Sequence, residues 1–148
     1  MNDQLQQAKC KALSLLNYMD RTEAQLRKKL KEKDFSEEII DEAVDYVKSF
    51  GYINDASYAE RYVLNKQKSK SKREIQAALF QKGVSKEHIN LALEKCYEKE
   101  DEMAAIQRLC EKKHFCVEDS TDVEKKKMYD YLMRKGFSRE DVHRVLHV

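Results

Sequence analysis

Three stretches of this chain align with one another, and that internal repeat limits the fold more than any other feature. They are TEAQLRKKLKEKDFSEEIIDEAV from Thr22 to Val44, SKREIQAALFQKGVSKEHINLAL from Ser71 to Leu93, and EKKKMYDYLMRKGFSREDVHRVL from Glu124 to Leu146. Leu26, Ile75 and Met128 match, as do Leu30, Leu79 and Leu132. Within each stretch these apolar positions are one helical turn apart and share a face. Lys33, Lys82 and Lys135 then stand where a cation suits a helix C-terminus. Asp34, Gly83 and Gly136 follow, at the position of a left-handed C-terminal turn. Phe35, Val84 and Phe137 can cover that turn, and Ser36, Ser85 and Ser138 can cap the next helix. Ile40, Ile89 and Val142 begin its apolar stripe.

The first helix of each hairpin also has a readable start. Thr22 with Gln25, and Ser71 with Glu74, fit capping boxes; in the third stretch Thr121 and Glu124 fit one a turn earlier. A further helix precedes each hairpin, over roughly 4–19, 55–68 and 101–113. Its inward residues are Ala8, Ala12, Leu16 and Met19 in the first case, Tyr58, Tyr62 and Val63 in the second, and Ile106, Leu109 and Cys110 in the third. The expected fold is all-α, three tandem three-helix repeats in an elongated, curved array, with units 1–51, 52–98 and 99–148. Tyr52, Ile53, Tyr58 and Tyr62 are expected in the seam between the first two units. Residues 97–102 contain no helix breaker, so a continuous or kinked helix could cross the second junction.

Composition agrees with helices on short loops: there is no Pro and there are only three Gly. Charged residues make up 38%, so each helix keeps a wide wet face and the core is thin. No apolar run approaches a membrane span, and MNDQLQQAK lacks a signal-peptide core, which predicts a cytoplasmic protein with no membrane partner. Four Cys, at 10, 96, 110 and 116, are too sparse for a disulfide framework and are expected as thiols.

Net charge is only +2, but its distribution is uneven. Arg21–Lys33 holds six bases and two acids, and Ser36–Phe50 holds five acids and one base. The two helices either neutralise each other or present Arg27, Lys28 and Lys31 to a partner. Arg61–Arg73 is sharper, with Arg61, Lys66, Lys68, Lys70, Lys72 and Arg73 and no acid. KQKSKSKR has no apolar residue and reads as a wet, mobile loop, either a solubilising linker or a contact for phosphate or an acidic protein surface.

Catalytic motifs are missing. There is no phosphate-cradling glycine loop, nucleophile elbow or His-Glu-x-x-His, and no carboxylate is expected in an apolar setting. Cys110, His114 and Cys116 are metal-ligand types, but their spacing matches no common zinc site, so neither metal nor cofactor is expected. Cys10 reads as a core filler.

Gly51-Tyr52-Ile53-Asn54-Asp55 with Tyr58-Ala59-Glu60, and Gln81-Lys82-Gly83-Val84-Ser85 with Ile89 and Ala92, resemble the RecX family. Arg21-Thr22-Glu23 with Leu26 and Leu30 resembles that family's opening repeat. The chain departs from the family pattern at Asp34, Asn54, Ser69 and Ser71, which touch caps and a loop. The resemblance implies a monomeric, non-enzymatic regulator lying in the groove of the RecA–DNA filament, reducing ATP hydrolysis and strand exchange. It implies RecA as partner, with the DNA phosphate backbone as a second contact. Two other readings are a helix-turn-helix DNA-binding protein, with Lys72–Gln81 as recognition helix, and a helical adaptor unrelated to recombination.

Overall fold

A computed structural model describes residues 2–148. Among them are nine α-helices and no strand. The first unit contains α1 (Asn2–Tyr18), α2 (Glu23–Glu32) and α3 (Glu37–Ser49). The second contains α4 (Asp55–Lys66), α5 (Lys72–Gln81) and α6 (Lys86–Cys96), and the third α7 (Lys99–Lys112), α8 (Asp122–Arg134) and α9 (Arg139–Leu146).

The helices begin and end where the caps place them. Thr22, Ser71 and Thr121 each accept a backbone N–H with the side chain, and Gln25, Glu74 and Glu124 reach back to the cap's own N–H. Ser36, Ser85 and Ser138 cap α3, α6 and α9. At the other ends Asp34, Gly83 and Gly136 take positive φ (65°, 85° and 93°). Val84 N–H then bonds to Leu79 O (3.1 Å) and Phe137 N–H to Leu132 O (3.3 Å), closing Schellman turns over otherwise unpaired carbonyls.

Each unit encloses its own core. Leu26, Leu30, Ile40 and Val44 centre the first, Ile75, Leu79 and Ile89 the second, and Ile106, Leu132 and Leu146 the third. These are the apolar stripes of the repeat, and burying them is the main favourable term in forming a unit.

Several expectations need correction. Met19 lies beyond α1 and is 52% exposed, and Cys10 is exposed rather than core. No helix crosses the second junction. Tyr97 turns extended (ψ 112°), drops its ring into the second core and bonds through its hydroxyl to Lys70 O (3.0 Å). Burial, and then the carboxylates around it, push the Tyr97 phenol far up. Asp101 caps the restart by accepting from Glu98 N–H (2.8 Å).

One carboxyl does stand in a poor solvent. Glu102 is half-buried in the third unit, where Asp141 is only 3% exposed. Burial, followed by the hydrogen bond to Asp141, pushes Glu102 up to about 7, while Ser138 N–H opposes the shift. Two carboxyls in contact cannot both ionise cheaply, so the neighbouring Asp141 adds to burial in disfavouring the ionised form of Glu102. The sequence hid this pair because its members lie on different helices, at positions 102 and 141.

Leu30→Asp would bury a carboxylate with no partner, which costs several kcal/mol against a domain stability of roughly 5–15 kcal/mol. Circular dichroism should show early, partial loss of helix; an unchanged melting curve would place Leu30 on the wrong face. For Glu102 the folded pKa lies above the unfolded value, so stability is greatest in acid and is lost as pH rises through about 7. The melting temperature of the wild type should therefore fall between pH 5 and pH 8 by more than that of Glu102→Gln, a comparison readable by calorimetry.

Candidate functional site

The basic stretch is not an open loop. α4 runs through Lys66 and α5 starts at Lys72, leaving five residues between them. Ser69 N–H and Lys70 N–H both bond to Lys66 O (3.0 and 2.9 Å), Lys70 O accepts from Tyr97, and Ser71 is fully buried. Lysine is a good helix former, and the Ser71–Glu74 box starts the next helix at once. The tight turn thus corrects the expected loop.

Its side chains remain wet. Lys68, Lys70, Lys72 and Arg73 are exposed and Lys66 is half-buried. Among the described residues none of these five makes an ion pair. Arg61 is different, because its Nε donates to Asp20 Oδ2 across the first junction (3.1 Å).

In the first unit Arg27, Lys29, Lys31 and Lys48 make ion pairs. Arg27 donates to Asp41 (2.6 Å) and Glu23 (3.1 Å), and Lys31 lies 3.8 Å from Glu37. Lys28 is exposed and makes no ion pair among the described residues. Partial burial raises the Glu23 carboxyl, but hydrogen bonds from Lys48 and Arg27 outweigh it and hold Glu23 below the usual range. The acidic third helix therefore supplies partners to two bases of the second, Arg27 and Lys31.

Beside the turn lies a groove of about 620 Å³ between the second and third units. Lys70 and Ser69 form one wall, Arg108 and Lys112 come from α7, and Tyr131 and Lys135 close the far side. Glu111 is the single acid on its lining. Lys113 Nζ sits 4.0 Å from the Tyr131 ring centre and Lys135 Nζ 5.6 Å, within cation–π reach. Sequence reading missed Arg108 and Lys112. Their four-residue spacing on one helix face was the available signal, but nothing local says that the face meets the Lys70 turn.

The tyrosine seam is redistributed. Ile53 is buried in the first core, and Tyr52 is 56% exposed, beside Phe50 (ring centres 6.2 Å) and along α1. Tyr52 therefore lies on the first unit and not between units. Tyr58 and Tyr62 pack on the second core, where burial and then Asp20 push the Tyr58 phenol up. The first junction is made instead by Thr22, Glu23 and Ala24 against Lys82, Asp55 and Gly83.

Cys110 is buried in the third core, and burial pushes its thiol up. Cys116 is exposed. Among the described residues no three His, Cys, Asp or Glu side chains come together as a metal-ligand set.

Family comparisons fit this architecture unit by unit. The models for the first, second and third three-helix domains of RecX match residues 8–46, 54–93 and 100–146. The chain belongs to the RecX family. Regulatory protein RecX of Caldanaerobacter subterraneus is 39% identical over 143 residues, covering 96% of this chain and 70% of that protein. The Clostridium beijerinckii protein of the same name is 32% identical, covering 93% and 67%. The crystal structure of RecX from Lactobacillus salivarius superposes with a TM-score of 0.83 at 25% identity, covering 99% of this chain and 97% of that one. A second crystal structure, of a regulatory protein RecX, gives 0.86 at 27% identity and covers 99% and 75%. Arg108, Lys112 and Lys135 all fall in the third RecX domain, and the turn at Lys66–Lys70 in the second.

Proposed function

We propose that this RecX-family chain is a non-enzymatic regulator that binds the RecA–DNA filament and lowers its ATPase and strand-exchange activity. It would act as a cytoplasmic monomer in homologous recombination, DNA repair and the SOS response. The observation that carries this is the match of all three units to the three RecX domains in order. The unpaired bases Lys66, Lys68, Lys70, Lys72 and Arg73, continued by Arg108 and Lys112, supply a surface for an acidic partner. DNA phosphate within the filament is a second contact of the same sign. Arg27 and Arg61, already in ion pairs, contribute less. No described helix is long and apolar enough to cross a membrane. Regulation of this kind needs no catalytic group, only a bound array that favours one filament state over another.

The recognition-helix reading of Lys72–Gln81 has a physical obstacle. Such a helix reads bases with its N-terminal residues. Here the third unit packs against the start of α5, with Ser71 bonded to Lys135 O and the Arg73 stem against Gly136, so the helix cannot enter a groove end-on at its cap.

Purified protein should lower the DNA-dependent ATPase of its cognate RecA. Reversing Lys66, Lys68 and Lys70 to Glu should leave the circular dichroism unchanged, since exposed charges contribute only about 0–1 kcal/mol per pair. It should weaken inhibition, most at low salt, where attraction is least screened. Arg108→Glu with Lys112→Glu should act in the same direction, and Glu37→Lys with Glu38→Lys should not. Equal inhibition by all variants at every salt concentration would move the contact off this groove. No inhibition by the wild type would remove RecA as the partner.

A further inference from the structure

Both places where successive units meet are built alike. Thr22 Oγ1 accepts from Gln25 N–H (3.2 Å) and donates to Lys82 O (2.6 Å). Ser71 Oγ accepts from Glu74 N–H (3.1 Å) and donates to Lys135 O (2.6 Å). In each case the hydroxyl that caps the middle helix of one unit satisfies the carbonyl that ends the middle helix of the next. Thr22 and Ser71 are fully buried. The other described N-cap residues, Ser36, Asn54, Ser85, Glu98, Thr121 and Ser138, are all exposed.

A hydroxyl is suited to this double duty because one oxygen both accepts and donates. Aspartate caps a helix about as well as serine. It cannot donate when ionised, and would set a carboxylate against a carbonyl oxygen.

The second half of each joint is a glycine. A Cβ at Gly83 would stand 2.3 Å from Ala24 Cβ, and one at Gly136 would stand 2.9 Å from Arg73 Cβ and 3.2 Å from Ser71 Oγ. In the first unit the same turn carries Asp34 at φ 65°. The left-handed turn therefore tolerates a side chain. What excludes one at Gly83 and Gly136 is the approach of the preceding unit.

We infer that Thr22 and Ser71 are positioning residues, whose hydroxyls fix the angle between successive units and so the path along which the array presents its bases. The functional half of this inference rests on the filament reading, because a rigid array meets a periodic groove without the ordering cost of a loose one. The second joint is the better place to test it. Its other polar support is slight, with Lys135 Nζ 3.9 Å from Glu74. The first joint is reinforced by Glu23 N–H to Asp55 (2.9 Å) and by Arg61 to Asp20.

The test uses the full chain and three variants. Ser71→Asp keeps the cap of α5 and removes the donor. Gly136→Asn tolerates the left-handed turn and adds the blocking Cβ from the other side. Ser71→Thr keeps both functions of the hydroxyl. Ser71→Asp and Gly136→Asn should retain wild-type helical content by circular dichroism but shift the small-angle scattering profile to a larger radius of gyration. RecA inhibition should then need about tenfold more protein, the order of effect of one hydrogen bond. Ser71→Thr should match wild type in both readouts. If Gly136→Asn and Ser71→Asp scatter like wild type, the joint does not set the path and the inference is wrong. If scattering changes while inhibition does not, the path has no part in function, and that half is overturned. Absence of inhibition by the wild type would defeat the filament reading alone, since scattering still decides the joint.

Discussion

Helix ends are the constraint on which this molecule depends. The nine helices among the described residues, of eight to seventeen residues each, have many backbone N–H and C=O groups at their ends without a partner inside the helix. Nearly every repeated residue outside the apolar stripes serves those groups. Thr22, Ser71 and Thr121 with their partners Gln25, Glu74 and Glu124 satisfy N-termini, and the turns at Asp34, Gly83 and Gly136 satisfy C-termini. Two remaining carbonyls, of Lys82 and Lys135, are satisfied by the preceding unit. Unit-to-unit docking is thus an extension of capping, and a three-helix unit too small for a large core gains neighbours without a large apolar interface.

Charge is arranged around the same skeleton. In the first unit α3 supplies Asp41 and Glu37 to Arg27 and Lys31 of α2, so that face is largely neutral. α6 holds only Glu87 and Glu94, and among the described residues Lys66, Lys68, Lys70, Lys72 and Arg73 make no ion pair. They lie beside α7, whose Arg108 and Lys112 extend the row. The proposed contact surface lies where the repeat leaves its bases without acidic partners.

The third unit carries a different asymmetry. Burial and then Asp141 push the Glu102 carboxyl up, and the positions that match Asp141 in the other units hold His88 and Ile39. Glu102 couples packing of that unit to pH near neutrality, and the Ser138 N–H that donates to Glu102 opposes the shift.

Much of the fold is legible in the chain. Helix periodicity, the caps and the αL positions act over three to five residues, and such short-range rules are written directly in sequence. Hence the three units, the core residues Leu30, Leu79 and Leu132, and the boxes starting α2, α5 and α8 follow from the amino-acid order alone. Local reading fails at the polar run KQKSKSKR, which resembles a loop but carries two helix ends and a buried cap. It also fails where partners are far apart. Thr22 and Lys82 are 60 residues apart and Ser71 and Lys135 are 64. Which cap becomes a joint, why glycine is required at Gly83 but not at Asp34, and which bases line one groove depend on how packed helices cross. Those contacts form only when segments far apart in the sequence pack together, so only the tertiary structure decided them.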